Sequence, residues 1–519
     1  MSKPSVVHLP DMSKPRLMRW LLLVGLSAFL LRLWISMALP VTGDEAYFYW
    51  WGIFRDWGYY DHPPMAGWWM SAMQTTLGHA PWAIRLPAVL LPVAMGAVIW
   101  WTFLPLDRDR AGWAVLLFWL APLNWLNALI TTDTPLMFWS LLSMACLVRA
   151  ELVPKDHAPR WGLYTASGLF LSLAFLSKYF AVVLGFAYVV YFVLYRRDRW
   201  PALLLLCLCA LPGPLINLAW NASHGWANIM FNVFNRHQSS GVELHKPLLY
   251  LAMLAYLVTP GALWLIFKHR RVWRDAWGSK PAVSKLVVCL LVVPLVFFGC
   301  LSLKKVVGLH WVFSFYPMLF VFMAFSLPKA SLKRCAQALA AFTALHVLIV
   351  GLIATTSLEQ WQGKSHYFSL VRAFRTAQIL EKFESPGTVL MADAYSPASV
   401  YGYVRERYVP VFGPGSFHAR QDDFETDFSQ FQGQTIRVLL SDPAVLSDFA
   451  PYFDSVKAVQ IEQDGATFYG VEGVNFNYPA YRDGVLRWVY QRYYNIPSWL
   501  PMTDCPFCRK VCGEPRCAP

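Results

Sequence analysis

Long apolar runs alternate with short polar loops along this chain, and most of the runs have the length of bilayer crossings. Leu21 to Leu31 is bounded by Arg19 and Arg32, and further runs occupy 84–104, 111–130, 180–195, 201–220, 247–267, 284–303, 309–327 and 335–356. The later runs are about 16–22 residues, close to what a helix needs to cross roughly 30 Å of hydrocarbon. Trp, Tyr and Pro recur within them, as transmembrane helices tolerate near interfaces and packed contacts. The first run reads as retained, because no small-residue cleavage site follows it and an acidic, aromatic segment does.

Short-loop Lys and Arg set the orientation. The clusters are Lys14/Arg16/Arg19, Arg108/Arg110, Lys155/Arg160, Arg196/Arg197/Arg199, Lys268/Arg270/Arg271/Arg274 and Lys329/Lys333/Arg334. A cytoplasmic N-terminus places all of them inside with spans at 17–39, 84–104, 111–130, 135–152, 161–176, 179–195, 200–220, 247–267, 284–303, 309–327 and 335–356. The expected fold class is thus a polytopic α-helical membrane protein of about 11 transmembrane helices, N-in and C-out. Residues 40–83, Thr131–Pro135, Ser177–Tyr179, 221–246 and everything after about 357 fall outside, with Lys304–His310 at the outer surface.

The external tail changes pattern. Thr388–Tyr395 and Thr435–Leu440 read as short buried strands, each followed by a helical segment, and Ser455–Ile461 with Ala466–Val471 as a terminal strand pair. The expected domains are a membrane body over 1–356, containing juxtamembrane helices in the 40–83 loop, a small α/β domain over 357–500 and a Cys-rich tail over 501–519.

Composition agrees with this class: 57% of residues are hydrophobic and 14% charged, against roughly 25% charged in soluble proteins. The net charge of +13 reflects the cytoplasmic loops and not a nucleic-acid surface. Cys146, Cys207, Cys209, Cys289, Cys300 and Cys335 lie in or beside apolar spans as packing residues. Cys505, Cys508, Cys512 and Cys517 form a tight external cluster. Two disulfides are its default outside the cytoplasm, with a zinc site the other possibility.

Candidate chemistry gathers on the outer side. The loop Gly43–Met70 holds Asp44/Glu45 and Asp61/His62, separated by an aromatic stretch suited to an interfacial helix. Asp133 sits where one span ends and another begins, Lys178 has no acidic neighbour in sequence, Arg85 opens the second span, and Lys304/Lys305 precede His310. Charge at membrane depth is expensive and marks function. Carboxylates suit deprotonation of an incoming hydroxyl or amine, and cations suit a departing phosphate. Lipid-phosphate chemistry outside the cytoplasm is what these residues imply.

At GDEAYFYWW, GYYDHPPMAGW, AIRLPAV, TTDTPLMFW, LAFLSKYFAVVLG and GLHWVFSFYP the chain resembles the polyprenyl-phosphate-sugar glycosyltransferases of the GT-C superfamily. The likeness is to the bacterial branch of aminoarabinose and galacturonic acid lipid A transferases and to relatives of protein O-mannosyltransferases. It covers roughly residues 15–330. The resemblance implies Asp44 as general base supported by Glu45, with Asp61 and His62 near the donor phosphate. His62 departs from the Glu-Lys found there in many aminoarabinose transferases. It further implies Lys178 as phosphate ligand, Asp133 in support, and Arg85 and His310 as weaker substrate contacts; Lys304 and Lys305 are candidate substrate contacts by position alone, with headgroup snorkelling the other reading.

The implied reaction is an inverting transfer from an undecaprenyl-phosphate-like donor to lipid A, an envelope glycan or a protein, at the periplasmic face of a bacterial inner membrane. It requires no nucleotide sugar and no metal or other cofactor. The other readings are a lipid-linked-sugar flippase and an O-antigen ligase or polymerase. The flippase is disfavoured because the charges collect on one side and not at the midplane. Within 221–246, Trp226, Asn232, Arg236 and His237 form a candidate acceptor-side lid, and the sequon at Asn221 reads as chance.

Overall fold

The computed structural model describes residues 14–152, 158–235, 241, 243–272, 281–415 and 420–517; Lys155, Arg236, His237 and Arg274 lie outside them. The helices in chain order are α1 (Lys14–Ala38), α2 (Gly43–Ile53), α3 (Met65–Leu77), α4 (Pro81–Phe103), α5 (Arg108–Trp119), the single turn α6 (Leu123–Leu126), α7 (Asp133–Glu151), α8 (Trp161–Phe175) and α9 (Ala181–Tyr195). They continue as α10 (Trp200–Ala210), α11 (Pro212–Ser223), the short α12 (Ala227–Ile229), α13 (His245–Val258), α14 (Pro260–Lys268), α15 (Pro281–Ser302), α16 (Tyr316–Ser326) and α17 (Lys329–Ala354).

Among the described residues, five helical stretches are long and apolar enough to cross a bilayer: Arg16–Ala38, Pro81–Phe103, Arg197–Ser223, Pro281–Ser302 and Lys329–Ala354. A sixth forms if α13 and α14, bent by 90° at their junction, count as one span. Leu345, Leu348, Leu352 and Ile353 of α17 stand exposed, a surface that hydrocarbon solvates and water does not. The molecule is a multi-pass membrane protein.

Several boundaries differ from the hydropathy reading, and each difference has a local cause. The expected span 111–130 stops as α5 at Trp119 and resumes only as α6, because Pro122 breaks the ladder. Its freed carbonyls are taken locally: Asn124 Nδ2 donates to Phe118 O (2.6 Å) and Trp125 Nε1 to Trp119 O (2.8 Å). The expected span 247–267 breaks at Pro260, where Thr259 adopts φ +67°. Pro92 inside α4 leaves the Ala88 carbonyl without its helical donor, and the buried Arg32 of α1 donates to it instead.

Charge also ties the body together at the end of α7. Glu151 pairs with Arg196 and accepts from Tyr164 Oη (2.5 Å) and Tyr191 Oη (2.7 Å), while Arg199 approaches to 3.9 Å. All five side chains are buried, so one carboxylate holds α7, α8, α9 and the chain entering α10 in register.

The C-terminal part is an α/β domain. Its strands are β1 (Thr388–Ala392), β2 (Thr435–Leu440), β3 (Ser455–Gln463) and β4 (Ala466–Val474), in sheet order β1-β2-β4-β3. β1 and β2 run parallel, and β4 is antiparallel to both β2 and β3. The helices α18 (Tyr367–Phe374) and α19 (Thr376–Phe383) pack Val371, Ile379, Leu380 and Phe383 against the sheet. α20 (Tyr395–Arg405) crosses over from β1 toward β2. The helix expected after β2 is absent. Only the turns Leu446–Asp448 and Ala450–Tyr452 follow: β2 and β3 are both antiparallel to β4 and hence parallel to each other, and residues 441–454 make that crossover without an α-helix. The chain closes with α21 (Asp422–Glu425), α22 (Tyr478–Tyr481), α23 (Arg487–Tyr493) and α24 (Pro506–Cys512). Of the two readings left open for the cysteine cluster, the structure has disulfides, Cys505–Cys508 and Cys512–Cys517.

Glu151→Ala strands two buried guanidinium groups at once. The expected loss is about 3–5 kcal/mol of stability, seen as a lowered thermal midpoint of the detergent-solubilised protein.

Candidate active site

The site is built on the first two turns of α2, where neighbouring acids face opposite ways. Thr42 caps the helix and forms a reciprocal capping box with Glu45. The ~100° step between adjacent helical residues then turns Glu45 inward, fully buried, and leaves Asp44 exposed.

Glu45 meets Arg85 of α4 through two bonds, Nε–Oε1 at 2.8 Å and Nη2–Oε2 at 2.7 Å. It also accepts from the Ile130 amide (3.2 Å) and from Thr42 N and Oγ1 (3.1 and 3.0 Å). Arg85 spends its remaining donors on the carbonyls of Ser36 (2.9 Å), Leu39 (2.7 Å) and Pro40 (2.8 Å). All five guanidinium N–H groups thus have protein partners. This corrects two expectations: Glu45 does not support Asp44 directly, and Arg85 has no donor left for substrate. Together they clamp the exit of α1, the start of α2, the body of α4 and the segment before α7.

Asp44 instead meets the C-terminal domain. Tyr395 Oη, at the first position of α20, donates to Asp44 Oδ1 (3.3 Å). Its ring packs edge-on against Tyr47 (5.1 Å), whose hydroxyl donates to Asp61 Oδ1 (3.3 Å). His62 Nε2 lies 4.0 Å from Asp61 Oδ2. Burial, reinforced by Asp61, holds the Tyr47 phenol well above its usual pKa, and burial with Asp44 and Asp61 raises that of Tyr395. Both hydroxyls stay protonated as donors.

Lys178 and Asp133, expected as separate contacts, are partners: Lys178 Nζ sits 2.9 Å from both carboxylate oxygens, with both side chains nearly buried. Lys178 is therefore charge-compensated, with two of its three N–H donors directed at Asp133. Its turn reaches the first loop by two routes. Met65 N donates to Leu176 O (3.0 Å), and Tyr179 bonds Asn228, which in turn donates to Tyr59 O (2.9 Å). Asn232 donates to Asp61 O (3.2 Å).

Lys304, Lys305 and His310 lie on the loop between α15 and α16, with Lys304 and His310 exposed. Trp311 of that loop stacks near Phe180 (4.6 Å), the ring under Lys178 Nζ (5.6 Å), so the loop adjoins the Lys178 turn. Of the candidate lid, Trp226 is buried and donates to Pro501 O (2.9 Å), serving as a docking residue for the tail. Asn221 is fully buried and donates to Asn217 O (2.9 Å), as a chance sequon would.

The domain rests on α2 along its length. Trp50 Nε1 donates to Ser399 O (3.2 Å), Tyr403 Oη to His79 O (2.7 Å), and the Gln421 carbonyl accepts from Tyr60 N (2.9 Å). A small enclosed cavity beneath this seam is bounded by Trp50, Tyr395, Tyr408, Asp422 and Glu425. Asp422 accepts from Tyr408 Oη (2.7 Å), Thr426 Oγ1 (2.8 Å) and Val411 N (3.3 Å), yet burial prevails and raises its pKa to about 6. Burial raises Glu425 to about 7. Tyr395, Tyr408 and the Asp422–Glu425 pair carried no sequence signal, since each lies in an ordinary polar stretch of the tail.

Comparison with known proteins now has a geometry to meet. The family model described as dolichyl-phosphate-mannose-protein mannosyltransferase matches residues 61–220. ArnT from Cupriavidus metallidurans, solved bound to undecaprenyl phosphate, aligns over 88% of this chain and 98% of its own with a TM-score of 0.63 at 15% identity. The chain has the GT-C fold. The apo state of the same ArnT gives a TM-score of 0.64 over the same shares at 15% identity. Lipid A galacturonosyltransferase RgtD from Rhizobium johnstonii is 29% identical over 260 residues, 46% of this chain. The chain spans about half the length of that relative, 53% of it.

Glu45→Gln removes the charge facing Arg85 and is expected to destabilise the protein by about 3–5 kcal/mol, measured as thermal unfolding in detergent. The seam carries a separate pH signature. Asp422 and Glu425 have folded pKa values above their unfolded ones (roughly 4), so the folded state binds extra protons. That stability is complete below about pH 4 and is lost as pH rises through about 6 to 7. The thermal midpoint of the wild type is expected to fall between about pH 5 and about pH 8, and Asp422→Asn with Glu425→Gln to flatten that slope.

Proposed function

We propose that the chain is a membrane glycosyltransferase that moves a sugar from a polyprenyl-phosphate carrier to an acceptor at the periplasmic face of a bacterial inner membrane. The observation that carries this reading is the division of labour at α2: on a GT-C fold, Glu45 is sealed in structure while Asp44 beside it stands exposed. Asp44 is the general base. It accepts the proton of an acceptor hydroxyl or amine as that atom bonds to the anomeric carbon, and the bond from that carbon to the phosphate oxygen breaks. One displacement inverts the anomeric centre and releases polyprenyl phosphate.

The threading that supports this orientation keeps the basic loops cytoplasmic; the six candidate spans, with α13 and α14 as one, and the shorter apolar helices α8, α9 and α16 make nine crossings among the described residues, and α5 and α7 bring them to about eleven. An apolar groove of about 450 Å³ between α13, α14, α15 and α16, walled by Leu254, Val258, Leu291, Pro294, Val312 and Phe315, suits a prenyl chain. Val312 and Phe315 lie further along the loop that carries Lys304, Lys305 and His310, which supports these cations as contacts for the phosphate at the head of such a chain. They share the phosphate role with Lys178, whose charge is partly met by Asp133. Asp61 and His62 line the sugar side, and the acceptor is lipid A, another envelope glycan or a protein.

Mass spectrometry of lipid A and surface glycans from cells with and without the gene identifies the product. Complementation with Asp44→Asn is expected to lower its formation by about 100-fold or more. Undiminished transfer by that variant sinks the assignment of the base.

A further inference from the structure

We infer that Tyr395, delivered by the C-terminal domain, is a positioning residue for Asp44, so that this domain completes the active site. The inference rests on Asp44 being the base of the proposed reaction.

Three observations carry it. The first is how Tyr395 is held. It follows β1 directly, and Asp393 at the strand end accepts from Ser441 N (2.7 Å) and Ser441 Oγ (3.1 Å) beyond β2. Tyr395 is thereby fixed to the carboxyl edge of the parallel strand pair, where α/β folds place working side chains. The second is what it touches. Its hydroxyl donates to Asp44 Oδ1 (3.3 Å) and its ring packs on Tyr47, the donor to Asp61. Each candidate carboxylate thus takes one phenol O–H, and the two phenols support each other. A donor on one oxygen of Asp44 fixes the carboxylate plane and leaves the other oxygen to accept the incoming proton.

The third observation is the approach. A Cβ on residue 43 would lie 1.8 Å from Ser396 Oγ. Glycine immediately before Asp44 is what allows the start of α20 to descend onto the base. Docking of the domain does not need this contact. Trp50–Ser399, Tyr403–His79 and Tyr60–Gln421 hold the seam further along α2 and α20 and in the loop after α2.

The test compares two phenols on one interface. A strain lacking the gene is complemented with wild type, Tyr395→Phe, Tyr403→Phe, Gly43→Ala or Asp44→Asn at matched membrane abundance. Product formation is followed over time by mass spectrometry, and binding of undecaprenyl phosphate to each purified protein is measured separately. Tyr395→Phe keeps the ring and is expected to slow transfer about tenfold with undecaprenyl phosphate affinity unchanged. Gly43→Ala, which lifts Ser396 and Tyr395 away, is expected to slow it similarly, and Tyr403→Phe to leave it as in wild type. Wild-type rates for Tyr395→Phe, or equal losses for Tyr395→Phe and Tyr403→Phe, overturn the inference while a dead Asp44→Asn leaves the base assigned. If Asp44→Asn itself transfers, the base assignment fails and the positioning role falls with it.

Discussion

The buried pair of Glu45 and Arg85 is the constraint on which the rest of the structure depends. A charge pair removed from water is favourable only when every remaining donor and acceptor is met, and here every guanidinium N–H has a partner. Satisfying them draws in the carbonyls ending α1, the cap of α2 and the Ile130 amide before α7. The position of Asp44, and hence of anything Asp44 does, is a by-product of that closure. Its side chain points outward because the next residue must point inward.

The same rule of compensation recurs at Lys178–Asp133 and at Glu151 with its two arginines. Charges that look exceptional in an apolar sequence are, in this molecule, mostly cross-links between helices. The proposed reaction assigns its chemistry to a smaller set: Asp44, the Asp61–His62 pair and the loop of Lys304, Lys305 and His310.

Periodicity and charge made the membrane body legible, including the paired surface helices of the first loop and the strands of the tail. The failures have particular causes. Hydropathy averages over a window and so passed through Pro122 and Pro260, where the backbone breaks. Residue type alone could not show that Arg85 and Lys178 already have carboxylate partners, because Glu45 and Asp133 are 40 and 45 positions away. Motif likeness found Asp44 but was silent on Tyr395, which lies outside the stretch carrying the resemblance. The disulfides were legible as an even set of external cysteines, though their pairing was not.

Asp44 and Tyr395 are 351 positions apart, and that distance has a meaning in time. The carboxylate belongs to α2, and the phenol follows the helices of the membrane body and the first strand of the tail. A growing chain therefore carries the acid long before it carries the group that meets it. The contact becomes possible once the body is made, while β2, β3 and β4 of the domain that delivers Tyr395 are still to come.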